Sequence, residues 1–441
     1  MGVAIFLRVY NIDSVPPGLY HDEAVNGLDV LDVLRGQFSI FFERNNGREP
    51  LFIYFQAISV YFLGNSALAL RLASAVVGVL TVLATFLLAR EWFGYRVGLL
   101  SMAGIAIAFW HVDLSRVGLR AISTPLFLEL SLLFLWRALK GGRLATFVLA
   151  GGFSGLTFYT YSSARLAVLL FASILLAELA TNYKNIRGHW RGVALFVLAT
   201  VLVTMPLVIY FAAHPDYFSE RVQQVSIFNE RPAIESEPMT FQQSLQGAAE
   251  MFFIAGDRNW RHNIQGRPVF DPLSGAFFVT GLVWALVANV RRSQRLLTIE
   301  TLPVVGRSFG GIGSAPARWL MLWFFVMLLP DVLSHESPNF LRLTGLAPAI
   351  FIIAALGYAL AWQSGAHAGA ARLGRLGNAF FALFLAALFS LEGFTTFQDY
   401  FGRWAKLPQV YWLSMPISSR PPSSSTRSTV DSRRTLRSSS M

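Results

Sequence analysis

The chain has no cysteine, which excludes disulfides and thiolate metal sites; it says little about compartment, since a membrane fold needs neither. Charge is scarce as well. Asp, Glu, Lys and Arg make up 14% of the 441 residues against 54% hydrophobic ones, and mean hydropathy is positive. That is too apolar for a soluble globular domain and reads as a polytopic membrane protein. There is no Walker loop and no Rossmann glycine pattern, which argues against an ATP-driven pump and against a sugar-nucleotide site. The formal charge of +11 invites a nucleic-acid reading, but residues 418–441 hold five arginines against one aspartate. Without them the balance is about +7, ordinary for cytoplasmic loops facing anionic lipid, so no nucleic-acid partner is expected.

Apolar runs lie at roughly 72–89, 97–112, 122–138, 144–160, 164–181 and 192–213, then at 271–290, 317–333, 343–362 and 376–395. Several are near the short end for crossing ~30 Å of hydrocarbon at ~1.5 Å per residue, and all ten are read as spans. Basic residues separate alternate runs: Arg90 and Arg96; Arg137, Lys140 and Arg143; Lys184 through Arg191; Arg291, Arg292 and Arg295; Arg372 and Arg375. With these inside, the positive-inside rule holds throughout and residues 11–71 fall outside. Parity then makes Pro50 to Leu63, short and aromatic-rich, an interfacial helix rather than a span. Met1 to Tyr10 supplies about half a bilayer of helix, so the chain is expected to begin within its first span. A cleaved signal peptide is disfavoured by the absence of a small-residue cleavage site; a naturally short span is the other alternative. The expected fold is all-α, a membrane bundle of about 11 spans over residues 1–417 with interfacial helices in two outside loops, 11–71 and 214–270. The Ser- and Arg-rich segment 418–441 is expected to be disordered.

Two adjacent carboxylates stand out in so apolar a chain. They lie in Leu19-Tyr20-His21-Asp22-Glu23-Ala24, followed by Gly47-Arg48-Glu49-Pro50. The short outside turns add His111, Asp113, Arg116 and Arg120, then Tyr159, Tyr161 and Arg165, then His335, Glu336, Asn339 and Arg342. Arginines in outward turns run against the usual charge bias. Each alone has a plainer reading as a side chain snorkelling to headgroups. His21, His111 and His335 with Asp22 and Glu23 could form a metal site, but no ligand pair has metal-motif spacing, so no metal and no cofactor is expected. Glu129, inside a span, reads as an interhelical hydrogen bonder or part of a polar pathway. Carboxylates and arginines together at the outer surface suit a lipid phosphate: guanidinium groups meet the charge of a departing phosphate, and a carboxylate takes the proton of the attacking acceptor. Arg342 and Arg165, then Arg116 and Arg120, are the candidates for the phosphate.

In these residues the chain resembles the dolichyl-phosphate-mannose protein mannosyltransferase-like group of the C-type membrane glycosyltransferases, relatives of the lipid A aminoarabinose transferase. The resemblance rests on Tyr20-His21-Asp22-Glu23-Ala24, on Gly47-Arg48-Glu49-Pro50-Leu51, and on Ala69-Leu70-Arg71-Leu72 with Gly78. It continues through Ser115-Arg116 to Arg120, Tyr159-Thr160-Tyr161 with Arg165, and Asn339-Phe340-Leu341-Arg342 before Pro348, covering about residues 3 to 415. It implies that Asp22 is the catalytic base, with Glu23 supporting acceptor or geometry, and that Arg71 is structural or near the donor. His21, Arg48, Glu49, Tyr161 and His335 are the expected further substrate contacts. The implied donor is a polyprenyl-phosphate monosaccharide, transferred with inversion and without a metal to a glycan, lipid or protein acceptor on the extracytoplasmic face of the cell membrane. Members begin with a complete first helix and often continue into a folded outside domain. The start at Met1 and the tail from Ser418 therefore read as a late start and a shifted or truncated frame. The stretch 214–270 has a second candidate interfacial helix at 241–255, and its polar segment 256–263 reads either as a connector or as a loop that covers the site. A transporter or flippase of a lipid-linked glycan is the alternative from another class; it would need polar residues running down the bundle and often repeated halves, and no convincing repeat is present.

Overall fold

The computed structural model describes residues 1–229, 239–290, 314–367 and 371–413. Arg291, Arg292 and Arg295 of the inside loops and the tail 418–441 lie outside the described residues. The described chain is helical, with isolated bridges at Phe42–Arg48 and Ser226–Ser334 and no strand.

In chain order the helices are α1 (Gly2–Val9), α2 (His21–Leu34), α3 (Leu51–Leu63), α4 (Ala67–Phe93), α5 (Tyr95–Ile107), α6 (Phe109–Leu114), α7 (Ser123–Gly141), α8 (Leu144–Thr157), α9 (Ala167–Thr181), α10 (Tyr183–Gly188), α11 (Trp190–Ala213), α12 (Pro215–Val225), α13 (Phe241–Glu250), α14 (Pro272–Val290), α15 (Ser314–Val332), α16 (Ala347–His367) and α17 (Ala371–Phe397). Local chemistry sets several ends. Ser66 caps α4 by accepting from the Ala69 amide at 3.2 Å, and Thr240 with Gln243 forms a capping box on α13.

Among the described residues, eight helical stretches are long and apolar enough to cross a bilayer, and α3, α5 and α8 form a shorter apolar class. Length and composition therefore mark fewer spans than the 11 expected. The runs 97–112 and 144–160 fold as helices of 13 and 14 residues, the first followed by the short buried helix α6 and the second by the turn that carries Tyr159 to Tyr161. Pro50 to Leu63 forms a single helix, α3, packed between α2 and α4.

The bundle has a centre and a periphery. In α16 with its leading turn, 89% of the apolar window is buried, against 17% in α11, which leaves α11 to face lipid. Small residues bring α14 and α16 together: a Cβ on Gly281 would meet the Ile353 carbonyl, and one on Gly357 the Phe277 carbonyl. On the interior side Trp92, Trp136, Trp319 and Trp323 make edge-on contacts, Trp136 and Trp319 with centroids 5.2 Å apart. The connecting segments form one continuous layer over this bundle. The Leu51 amide reaches the Tyr159 carbonyl, Trp110 stacks on Phe340 at 4.6 Å, and the Ile227 amide reaches the Leu333 carbonyl.

Candidate active site

The two adjacent carboxylates at the start of α2 meet opposite fates, because consecutive helical residues point about 100° apart. Glu23 is turned inward and is 0% exposed. Its Oε1 accepts from Arg71 Nε at 3.0 Å and from the Gly118 amide at 2.9 Å, while its Oε2 accepts from the Tyr20 amide at 2.9 Å and Arg71 Nη2 at 3.4 Å. A carboxylate has about four lone-pair positions, and all are taken. Arg71 in turn donates to the carbonyls of Ile12, Pro16 and Gly18, stitching the chain after α1 to α2 and α4. Gly118 is needed for the approach, since a Cβ there would stand 2.9 Å from Gln56 Nε2 and 3.3 Å from Glu23 Cγ.

Asp22 points the other way, with its side chain 28% exposed. Its Oδ1 accepts from Asn45 at 2.5 Å and Arg48 Nη2 at 3.2 Å, with His21 Nδ1 at 3.7 Å. Its Oδ2 has no partner among the described residues. Burial raises the Asp22 pKa, but Arg48, Arg261, Arg120 and the Asn45 amide outweigh it and hold the carboxyl below the ordinary 3.8. Asp22 is therefore an ionised, open carboxylate at neutral pH.

The segment after α2 is fastened along the face that carries Asp22, Asn26 and Asp29. Arg44 pairs with Asp29 at 2.8 Å and Asp32 at 2.5 Å; Asn45 holds Asp22; Arg48 reaches Asp22 and Asn26. To place these three side chains the backbone turns through Asn45, Asn46 and Gly47 at φ of 52°, 65° and 78°. Asn and Gly tolerate that left-handed region, and at Gly47 a Cβ would also collide with the Phe41 ring. Burial, then the nearby Arg120, push the Arg48 pKa down to about 10, with Asp22 and Asp29 opposing.

Glu49 anchors a second set. Arg120 Nε donates to it at 2.8 Å and the Arg120 guanidinium lies 5.1 Å over the Tyr161 ring, while Arg165 stands 3.9 Å from Glu49 and 4.5 Å over Phe218. From the segment between α13 and α14, Arg261 stacks over Tyr20 at 5.2 Å, touches its hydroxyl, and is held by Asn259 Oδ1 at 3.2 Å. Four guanidinium groups, Arg48, Arg120, Arg165 and Arg261, thus surround two carboxylates, Asp22 and Glu49. The surplus of two positive charges favours an anion over a cation at this place.

Other predicted residues lie apart from this cluster. Arg116 is fully buried, donating to the Leu7 carbonyl at 3.0 Å and the Val15 carbonyl at 2.9 Å, between the rings of Tyr400 and Phe401. Arg342 is 7% exposed and spent on Ser334 Oγ at 2.6 Å and Glu336 Oε2 at 2.7 Å. His335 has both ring nitrogens on backbone, with the Met239 amide at 3.1 Å and the Asn229 carbonyl at 2.9 Å. His111 faces Arg8 at 2.7 Å. Asp113 is buried with neither oxygen hydrogen-bonded among the described residues; burial raises its pKa well above the ordinary value, more than Arg116 lowers it. Arg261 escaped individual selection in the sequence because its partner Tyr20 is 241 residues away.

Residues 48–210 match the family model described as dolichyl-phosphate-mannose-protein mannosyltransferase. No curated protein sequence matches the chain. Among solved structures, ArnT from Cupriavidus metallidurans bound to undecaprenyl phosphate shares the fold with a TM-score of 0.59 at 14% identity, over 92% of this chain and 75% of that one. The Archaeoglobus fulgidus oligosaccharyltransferase, in complex with Zn and sulfate, gives 0.58 at 15% identity over 89% of this chain and 52% of its own. The archaeal AglB from the same organism, in complex with an inhibitory peptide and a dolichol-phosphate, gives 0.54 at 16% over 96% and 55%. This chain thus spans about half the length of the archaeal enzyme.

Proposed function

We propose, from the likeness of residues 48–210 to the mannosyltransferase family model and of the fold to ArnT and the archaeal oligosaccharyltransferase, that the chain is a C-type membrane glycosyltransferase that transfers one sugar from a polyprenyl-phosphate carrier to an acceptor at the outer face of the membrane, with inversion and with Asp22 as general base. The acceptor oxygen or nitrogen attacks the anomeric carbon, and its proton passes to Asp22 Oδ2. The bond from that carbon to the phosphate oxygen breaks with its electron pair staying on the phosphate. Glu23 takes no part in the proton transfer, because its lone pairs are already occupied.

The observation that carries this reading is the two-charge surplus around an open carboxylate. A sugar-phosphate-lipid diester has one negative charge, and the monoester that leaves approaches two. Arg120, Arg165 and Arg261 are the proposed phosphate contacts, so they match the state after bond cleavage better than the state before it. Two of these groups, Arg261 and Arg120, also depress the Asp22 pKa. As the leaving phosphate engages them, their hold on Asp22 weakens and its basicity rises when the proton must move. The carriers bound in ArnT and AglB, undecaprenyl phosphate and a dolichol-phosphate, are of the proposed chemical class.

The test is transfer of labelled sugar from a panel of undecaprenyl-phosphate monosaccharides to membrane material, in vesicles with and without the chain. Expression-dependent transfer with release of free undecaprenyl phosphate is expected; no transfer from any donor removes the reading. Orientation is tested separately with Phe38→Cys, an exposed position in an otherwise cysteine-free chain. It should react with an impermeant thiol reagent in intact cells, and labelling only after lysis would put the site on the wrong side.

A further inference from the structure

Beside the Asp22 cluster lies a separate open cleft of about 590 Å³, between α13 and the segments 255–259 and 335–339. We propose that it binds an uncharged oligosaccharide, the acceptor of the transfer; this rests on the transferase reading above. Three features select that ligand class.

The first is the chemistry of the lining. Gln243, Gln246, Asn259 and Asn339 bring carboxamides: the oxygens of Gln243, Asn259 and Asn339 are held by Thr240, Arg261 and the Leu341 amide, and the NH2 groups of Gln243 and Asn259 remain as donors beside the Gln246 oxygen as acceptor, the mixture that hydroxyl groups require. Gln246 Nε2 donates to Glu250 Oε1 at 2.6 Å, and Gln246 Oε1 and Glu250 Oε2 have no partner among the described residues. Apolar side chains are limited to Met239, Ala255 and Pro338, too little to anchor a ligand by burial alone.

The second is charge. Glu336 is paired with Arg342 at 2.7 Å and Asp257 is buried against His262 and the Phe340 amide, which leaves Glu250 beside Arg258, so the lining has no positive surplus. An anionic headgroup gains nothing here and is drawn to the arginine-rich cluster instead, so cleft and cluster sort a neutral acceptor from an anionic donor.

The third is construction and position. The Ser337 hydroxyl donates to the Ser244 carbonyl at 2.8 Å, and the Ser244 hydroxyl donates to the carbonyls of Asp331 at 3.3 Å and Ser334 at 3.2 Å, which fixes α13 against the opposite wall. A Cβ at Gly247 would come within 2.7 Å of the Ser337 carbonyl oxygen, so the walls meet closely and are set before a ligand arrives. Asn259 then joins cleft to cluster: it lines the cleft, and its Oδ1 accepts from Arg261 Nε, the arginine whose charge is felt at Asp22. A hydroxyl chain lying in the cleft is thereby led toward the base.

The full chain, reconstituted in nanodiscs, is probed with an array of neutral oligosaccharides and, separately, titrated with undecaprenyl phosphate. Saturable binding of at least one neutral glycan is expected, weakened at least tenfold in Gln246→Leu/Glu250→Leu, with undecaprenyl phosphate binding unchanged. Gln246 is exposed and Glu250 partly so, and retained lipid binding reports that the double variant is folded. No saturable glycan binding, unchanged binding in the double variant, or displacement of the glycan by an uncharged Ser- and Thr-rich peptide overturns the assignment. Glycan binding that depends on the cleft, combined with no undecaprenyl phosphate binding, upholds the glycan site and sinks the transferase reading instead.

Discussion

Two arginine clusters of this protein are built from the same side chains and differ in balance. Around Arg342, the guanidinium is met by Glu336 at 2.7 Å and by Ser334, with the Asp331 carboxylate accepting from Ser337 and the Asn339 amide close by. That cluster is closed: one guanidinium faces two carboxylates, Glu336 and Asp331, so it holds residues 331–342 in shape and has no positive charge left over. Around Asp22 and Glu49, guanidinium groups exceed carboxylates by two, and one carboxylate oxygen is bare. The difference teaches that an arginine in a connecting segment is informative only after its acceptors have been counted.

The sharpest way to break the comparison is at the two adjacent carboxylates. Asp22→Asn keeps shape and removes basicity, so turnover should fall by about 10²- to 10⁴-fold with donor binding retained. Glu23→Gln should instead cost stability, about 3 to 5 kcal/mol, because it leaves the buried Arg71 without its counter-charge. Thermal unfolding of the purified proteins separates the two outcomes, and a Glu23→Gln protein that melts normally yet turns over slowly would swap the roles.

The next effect concerns the anion. Arg120→Ala or Arg261→Ala should weaken undecaprenyl phosphate binding by about tenfold or more each, the scale of a hydrogen bond to a charged group at ~1.5 to 3 kcal/mol. Arg342→Ala should leave that affinity unchanged and lower the melting temperature. Equal losses of affinity in all three would erase the distinction between open and closed clusters.

The smallest effect is in pH. Asp22 has a folded pKa below 3.8, so the stabilisation from its ion pair is present above 3.8 and is lost only as pH falls through the lower folded value. The acid limb of kcat/KM, which reports Asp22 in the free protein, should therefore lie below 3.8 in the wild type and move upward in Arg48→Ala. A wild-type limb centred well above 3.8 would mean that the arginines do not neutralise this carboxylate.

Much of the fold was legible because burial in lipid writes itself as long apolar runs, and Asp22, Arg48 and Glu49 were legible because charge is rare in such a chain. What separates Asp22 from Glu23 was not. Glu23 is silenced by the Gly118 amide and by Arg71, and a backbone N–H leaves no trace in residue identity. The same holds for Arg116: its outward turn is visible in the sequence, but the carbonyls of Leu7 and Val15 that occupy it are not. Arg261 was hidden for a related reason, since a loop packed across the molecule is placed by distant contacts rather than by its own pattern.

The ties that close the site are also a timetable. Glu23 needs an amide made 95 residues later, and Tyr20 meets Arg261 only after 241. At ribosomal speeds of roughly 5 to 20 residues per second, a new chain carries Glu23 incompletely satisfied for roughly 5 to 20 seconds and lacks its arginine cap for longer still. During synthesis the loop that carries Asp22 and Glu23 thus waits with polar groups unmatched, and a pause in translation before residue 118 prolongs that wait.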